Sequence, residues 1–285
     1  MPKFFLILFC LFIGSCKKTP ETLPPATKPT IPLYDHVVVL ILENKAYEKI
    51  INSPEAPYIN SLANTGASFF ESYAIEHPSQ PNYLDLYSGS NQGITDNVFP
   101  ASHFKTPNLG YQLIAKGKSF KIYSEDLPAV GWDGESINGY VRKHNPSANW
   151  MGTDINQIPA ETNQPFSVFP SDFNQLPTIS FVIPSLQNDM HDGPIVTGDT
   201  WIKNNLDGYV TWAKTHNSLL ILTFDEDDAS ANNHIVTIFS GMHVKPGNYI
   251  TKITHFTILR TLEDMYNLGY AGQASSAITI TNCWN

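Results

Sequence analysis

Val37-Val38-Val39-Leu40-Ile41-Leu42-Glu43-Asn44 is the stretch on which the fold turns. Its apolar, mostly β-branched residues show no alternation, so they predict a strand covered on both faces, as in a parallel sheet. The run stops abruptly at an acid and an amide. In open α/β sheets ligands lie beyond the carboxyl ends of the strands, which puts Glu43-Asn44 where a site would form. The same layout recurs downstream. Thr178-Ile179-Ser180-Phe181-Val182-Ile183-Pro184 empties into Asn188-Asp189-Met190-His191-Asp192-Gly193, and Leu219-Leu220-Ile221-Leu222-Thr223-Phe224 ends in Asp225-Glu226-Asp227-Asp228. Consecutive carboxylates repel one another unless solvent or a cation screens them. Two strands that finish in acids therefore suggest a hard or borderline divalent ion with oxygen ligands. Asp189 and His191, two positions apart on a loop, suit a metal or a phosphate.

Further strands are expected over Ser119–Tyr123 and His234–Ser240, with an extended run over Ala67–Tyr73. Helices are expected over Pro57–Ala63, Leu109–Lys116 and Thr200–His216. Another should start after a Thr254 cap, present Ile258, Leu259, Leu262, Met265 and Tyr266 on one side, and end at Gly269. His255 opens that helix. Between Glu125 and Phe173 the chain is rich in Gly, Pro, Asn, Trp and Ser, which predicts a long excursion over the sheet that shapes a pocket. His103, His144, His216 and His243 have no supporting context and are read as background.

The stretch His77-Pro78-Ser79-Gln80-Pro81-Asn82-Tyr83 sets a serine before an apolar-periodic run that closes near Gly89. Ser79 reads as the N-cap of a short helix, close to unpaired amides and the positive dipole end, where an anion such as phosphate is favoured.

The chain has 285 residues, 42% of them hydrophobic and 15% charged, enough for one large domain with a buried core. Its net charge of -9 argues against a nucleic-acid partner. No internal repeat and no protein partner can be read. Lys3, the apolar run from Phe4 to Ile13, and Ile13-Gly14-Ser15-Cys16 form a targeting segment. It resembles the lipobox of bacterial lipoproteins, which implies cleavage before Cys16 and lipidation of that residue. Of the three cysteines, Cys10 would be discarded and Cys16 acylated, leaving Cys283 with no thiol to pair with. The expected organisation is residues 1–15 as signal peptide, 16–32 as lipidated cysteine and Pro-rich spacer, and 33–285 as a single catalytic domain. The expected location is periplasmic or at the outer membrane, tethered by lipid.

Taken together, Glu43-Asn44, Pro57–Ala63 with Gly66-Ala67, His77–Tyr83, Asn188–Gly193, Asp225–Asp228 and His255–Glu263 resemble the phosphoesterase family of bacterial acid phosphatases and phospholipases C, in the alkaline-phosphatase-like superfamily. The similarity runs from about His36 to Asn267. It implies an α/β fold with a mainly parallel central sheet flanked by helices. It also implies that Ser79 is the nucleophile, that Glu43, Asn44, Asp225, Glu226 and the Ser79 oxygen bind a metal, and that His77, Asn82, His191 and His255 contact phosphate or transfer protons. The second acid is Asp in some relatives and Glu226 here; either supplies an oxygen. A clear second metal set is missing, and Asp189 with His191 is its nearest substitute. The ion implied is divalent, with magnesium, calcium, manganese and zinc all open. The reaction implied is hydrolysis of a phosphate monoester through a phosphoserine. A phospholipase C type phosphodiesterase and a non-catalytic ligand-binding surface lipoprotein are the alternatives.

Overall fold

The apolar run forms strand β1 (His36–Leu42), buried from Val37 onward. In the computed structural model, which describes residues 1–2 and 31–285, it lies inside an eight-stranded sheet. The other strands are β2 (Ala67–Phe69), β3 (Phe120–Ser124), β4 (Asn163–Pro165), β5 (Ile179–Ile183), β6 (Ser218–Phe224), β7 (Thr237–Gly241) and β8 (Gly247–Tyr249). Their spatial order is β8-β2-β7-β6-β1-β5-β3-β4. β1 pairs in parallel with β5 on one side and β6 on the other, Leu40 opposite Val182 and Leu42 opposite Phe224. Only β7 runs against the rest, antiparallel to both β6 and β2. A parallel return needs a crossover, usually a helix, and the link from β6 to β7 contains none.

Successive β1 side chains point to opposite faces. Val37, Val39 and Ile41 pack with Tyr83, Leu84, Tyr87, Ile258 and Leu262, from α3 (Ser79–Ser88) and α6 (His255–Met265). Val38, Leu40 and Leu42 pack with Ile59, Leu62, Ile202 and Leu206, from α2 (Pro57–Thr65) and α5 (Ile195–Ala213). Burying each such side chain contributes about 1.5–3 kcal/mol, so the sheet's middle is held from both sides. Helices α1 (Tyr47–Ile50) and α4 (Leu109–Ala115) are short additions.

Several boundaries differ from expectation. The N-cap of α3 is Pro78, and Ser79 is the first helical residue, with no capping bond. Helix α5 begins at Ile195, directly after Pro194 rather than at Thr200, because a proline with φ near -70° is well placed to start a helix. Thr254 precedes α6 without a side-chain cap, and that helix ends at Met265 with Tyr266 as C-cap, before Gly269. Gly89 closes α3 in the left-handed conformation, φ 67°. A Cβ there would lie 2.2 Å from the Ala271 carbonyl oxygen, and one on Gly272 would lie 2.2 Å from that of Gly89. The Gln273 N–H donates to Gly89 O at 2.7 Å.

The excursion after β3 contains a small antiparallel pair, Ser136–Ile137 with Tyr140–Val141, followed by a 3-10 turn at Arg142–His144. Among the described residues no helix is long and apolar enough to cross a membrane. Cys16, the signal segment and most of the Pro-rich spacer lie outside the described residues.

Candidate active site

Because β1 and β6 are parallel and in register, the residues that follow them emerge side by side. The Asp225 N–H donates to Leu42 O at 2.9 Å, the Asn44 N–H to Asp225 Oδ1 at 3.1 Å, and the Glu43 N–H to Asp189 O at 2.8 Å. The loops after β1, β5 and β6 are thus stitched together by backbone amides. Asn44 sits in the left-handed region, φ 52°, which an asparagine tolerates well. Helix α3 delivers Ser79 to this edge. Its hydroxyl lies 3.1 Å from Glu43 Oε2 and 2.9 Å from Glu226 Oε1, and Ser79 is 2% exposed. Of the residues expected at the site, Glu43, Ser79, Asp225 and Glu226 converge, and Asn44 joins them through its backbone.

A second wall comes from loops. His144 is 1% exposed, stacked on Tyr83 with ring centroids 5.2 Å apart. Its Nδ1 lies 3.2 Å from Asp189 Oδ2 and its Nε2 3.0 Å from Glu43 Oε1. His191 Nδ1 is 2.6 Å from Asp192 Oδ1, and its Nε2 is 3.2 Å from Lys143 Nζ. A ring that donates from Nδ1 to a carboxylate offers an Nε2 lone pair, which here accepts from the lysine. His144 and Lys143 were not singled out from the sequence. They sit in a loop-rich segment with no periodicity, and their only signal is the basic run Arg142-Lys143-His144.

Three expected residues do other work. Asn82 is fully buried; its Oδ1 accepts from the Ile75 and Glu76 N–H groups at 3.0 Å, and its Nδ2 donates to Glu76 O at 2.7 Å. Its amide is therefore spent on the turn that precedes Ser79 and does not reach out to a phosphate. His77 bridges carboxylates, Nδ1 to Glu226 Oε2 at 2.6 Å and Nε2 to Asp227 Oδ1 at 3.2 Å, which holds Glu226 towards Ser79. His255 is 1% exposed, with Nε2 donating to Phe224 O at 3.0 Å. Burial pushes it down to about 4, so the ring is neutral. The Gln80 N–H is occupied by Asn97 Oδ1 at 3.1 Å, so the start of α3 is less open to an anion than its sequence suggests.

The cluster concentrates buried carboxyls. Burial, then the Asp189 charge, pushes Glu43 well above the usual carboxylate range. Burial, then Glu43 and Glu226, does the same to Asp225, and burial raises Glu226 and lifts Asp189 to about 7. Burial holds His144 well below its ordinary value, so it is neutral and has one N–H. That proton goes to Asp189. Among the described residues, neither His144 Nε2 nor the facing Glu43 Oε1 has a hydrogen-bond partner, and Asp225 Oδ2 has none. A cation would satisfy these atoms and favour the ionised carboxyls over the protonated ones. Ligand atoms of Glu43, His144 and His191 lie within 4.8 Å of one another, so these residues fit a metal ion.

The phosphoesterase family model matches residues 52–269. The chain belongs to the phosphoesterase family. This phosphoesterase is 46% identical over 254 residues to the phosphatidylinositol-3-phosphatase of Mycobacterium tuberculosis, covering 89% of this chain and 84% of that protein. It is 28% identical to the phosphate-repressible acid phosphatase of Penicillium chrysogenum, covering 84% of this chain and 61% of the fungal protein. It is accordingly a phosphoric ester hydrolase. In fold it matches an alkaline phosphatase superfamily protein from Vibrio parahaemolyticus, with a TM-score of 0.60 at 11% identity over 86% of this chain and 71% of that one. The lipoteichoic acid synthase LtaP of Listeria monocytogenes gives 0.55 at 11% identity over 88% and 76%. The fold is alkaline-phosphatase-like, with helices on both faces of the sheet.

Proposed function

We propose that this phosphoesterase is a metal-dependent phosphomonoesterase in which Ser79 attacks phosphorus and carries the phosphoryl group. The observation that supports this reading most directly is the Ser79 hydroxyl, buried within hydrogen-bond reach of Glu43 and Glu226. A serine hydroxyl is a weak nucleophile until a neighbour lowers its pKa or takes its proton. Glu226, held by His77, accepts that proton as the Ser79 oxygen bonds to phosphorus and the ester P–O bond breaks. His191, half-buried beside Lys143, would pass a proton to the departing alcohol from Nε2 once that nitrogen is protonated, whereas the buried His255 keeps its N–H on Phe224. Water then gives a proton to His191 and attacks phosphorus, the Ser79 O–P bond breaks, and Glu226 returns its proton to the Ser79 oxygen. A divalent ion held by Glu43, Asp225 and Glu226 with the Ser79 oxygen would supply countercharge for the phosphoryl oxygens; were it held instead by Glu43, His144 and His191, Lys143 rather than His191 would protonate the alcohol. The name of the mycobacterial relative, a phosphatase, favours a monoester over a diester.

The test is hydrolysis of p-nitrophenyl phosphate and of bis-p-nitrophenyl phosphate by the full chain, with and without chelator. The expected result is turnover of the monoester that chelator abolishes and one divalent metal restores, with loss of at least roughly a thousandfold in Ser79→Ala. Undiminished turnover in Ser79→Ala overturns the nucleophile assignment, and preference for the diester overturns the monoesterase reading. For the amino terminus, we infer a lipid anchor at Cys16 from the lipobox. Palmitate labelling that persists in Cys16→Ala would reject it.

A further inference from the structure

A cavity of about 270 Å³ opens at the first turn of α3, lined in part by Gln80, Asn97, Phe99, Glu135, Ser136 and Lys143. Its position ties it to the site. Gln80 is the residue after Ser79 on α3, and Lys143 reaches His191 Nε2 at 3.2 Å. The cavity therefore lies between the helix that carries the serine and the cation of the histidine wall.

Its walls are fixed before any ligand enters. The Gln80 amide donates to Asp96 O at 3.0 Å and Val98 O at 2.9 Å, which pins the loop carrying Asn97 and Phe99 to the first turn of α3. Arg142 lies over the Phe99 ring, 4.3 Å from its centroid, and holds that ring in place. Arg142 is itself buried; it pairs with Asp133 and donates from Nε to Asn149 Oδ1 at 2.9 Å. The Arg142 N–H donates to Glu135 O at 2.8 Å, which sets the opposite wall.

The chemistry of the lining is divided. Glu135 and Ser136 are exposed and offer a carboxylate and a hydroxyl, Lys143 offers ammonium protons, and Phe99 with its neighbour Val141 supplies an apolar surface. Such a pairing of an aromatic face with a carboxylate suits a cyclic polyol, which has C–H faces and a rim of hydroxyls. The volume is below that of pockets for drug-sized ligands, roughly 300–1,000 Å³. It is right for one ring. We propose that this cavity receives the alcohol half of the ester and selects a compact cyclic polyol phosphate, with Glu135 and Ser136 accepting ring hydroxyls, Phe99 packing on the ring and Lys143 meeting the phosphate. This rests on the phosphomonoesterase reading above.

The test compares glucose 6-phosphate with n-hexyl phosphate, primary esters with the same carbon count, on the full-length protein with its metal. The expected result is a kcat/KM preference for the sugar ester that falls roughly tenfold in Glu135→Ala, the size of a lost charged hydrogen bond. The preference falls also in Phe99→Ala and less in Ser136→Ala. Equal kcat/KM for the two esters, or a preference untouched by all three substitutions, overturns the proposal while leaving the monoesterase reading intact. Hydrolysis of neither ester counts against that reading instead. Calorimetry of glucose 6-phosphate on Ser79→Ala then decides the cavity: affinity weakened by adding Glu135→Ala supports it, and unchanged affinity or no binding overturns it.

Discussion

The two walls of the site are built in opposite ways. The acidic wall follows directly from the sheet: Glu43 and Asp225 are the first residues beyond two parallel, in-register strands, and backbone amides lock them together. The histidine wall rests on side chains. His144 is set by Tyr83 and Asp189, and the loop leading to His191 is clamped by the half-buried Glu125. That carboxylate accepts from the Ser185 N–H at 2.8 Å, from Asn188 Nδ2 at 2.9 Å and from Trp201 Nε1 at 2.9 Å. Backbone placement makes a site cheap to specify and hard to displace, whereas placement by side-chain contacts can be undone one contact at a time.

The largest expected effect tests the acidic wall. Asp225→Asn should lower monoester turnover by at least roughly a thousandfold, as for removal of a group that stabilises transition-state charge, while the melting temperature of the metal-free protein holds or rises. Removing a buried, repelled carboxylate relieves strain in the fold even as it disables the chemistry. A collapse in melting temperature would show that Asp225 holds the edge together. His144→Ala should cost less, about a hundredfold in turnover with a similar loss of metal affinity read by titration. An effect as large as that of Asp225→Asn would erase the distinction between the walls.

A smaller effect belongs to the clamp. In Glu125→Ala, turnover should fall roughly tenfold, and hydrogen exchange should quicken across 185–192 but not at Asn44 or Asp225, whose amides bond to Asp225 Oδ1 and Leu42 O. Equal quickening at both places would break the comparison.

The smallest effect lies outside both walls. Asp85 on α3 and Glu263 on α6 are buried carboxyls that burial pushes up to about 8. A carboxyl with a raised folded-state pKa binds its proton more tightly when folded. Its contribution is complete below the unfolded value near 4 and is lost as pH rises towards 8. Melting temperature should therefore decline from pH 4 to pH 8, and Asp85→Asn with Glu263→Gln should flatten that slope; an unchanged slope would refute it.

The same contrast explains what the sequence disclosed. Buried runs ending in acids announced β1, β6 and the acidic wall because strand, register and edge are local consequences of residue pattern. Local sequence read Ser79 as a helix cap; that its hydroxyl meets Glu43 and Glu226 was implied only by the family resemblance, because it depends on residues far apart in the chain. His144 was read as background because its partners Glu43, Tyr83 and Asp189 are remote in sequence and meet only in the fold. Asn82 misled in the other direction: its place beside Ser79 suggested phosphate, and burial turned its amide to the preceding turn. The reversed direction of β7 depended on the link before it, which shows no strong helical period.

The contact between Gly89 and Gly272 gives the carboxyl terminus a part in the reaction's geometry. Two backbones that touch with no side chain between them form a clasp, and here it fastens the far end of the Ser79 helix to the segment after α6. Neither strand of the clasp can take on a side chain without prising the other away. A tag, fusion or truncation near residue 272 would therefore act as a lever on the serine from the opposite end of its helix.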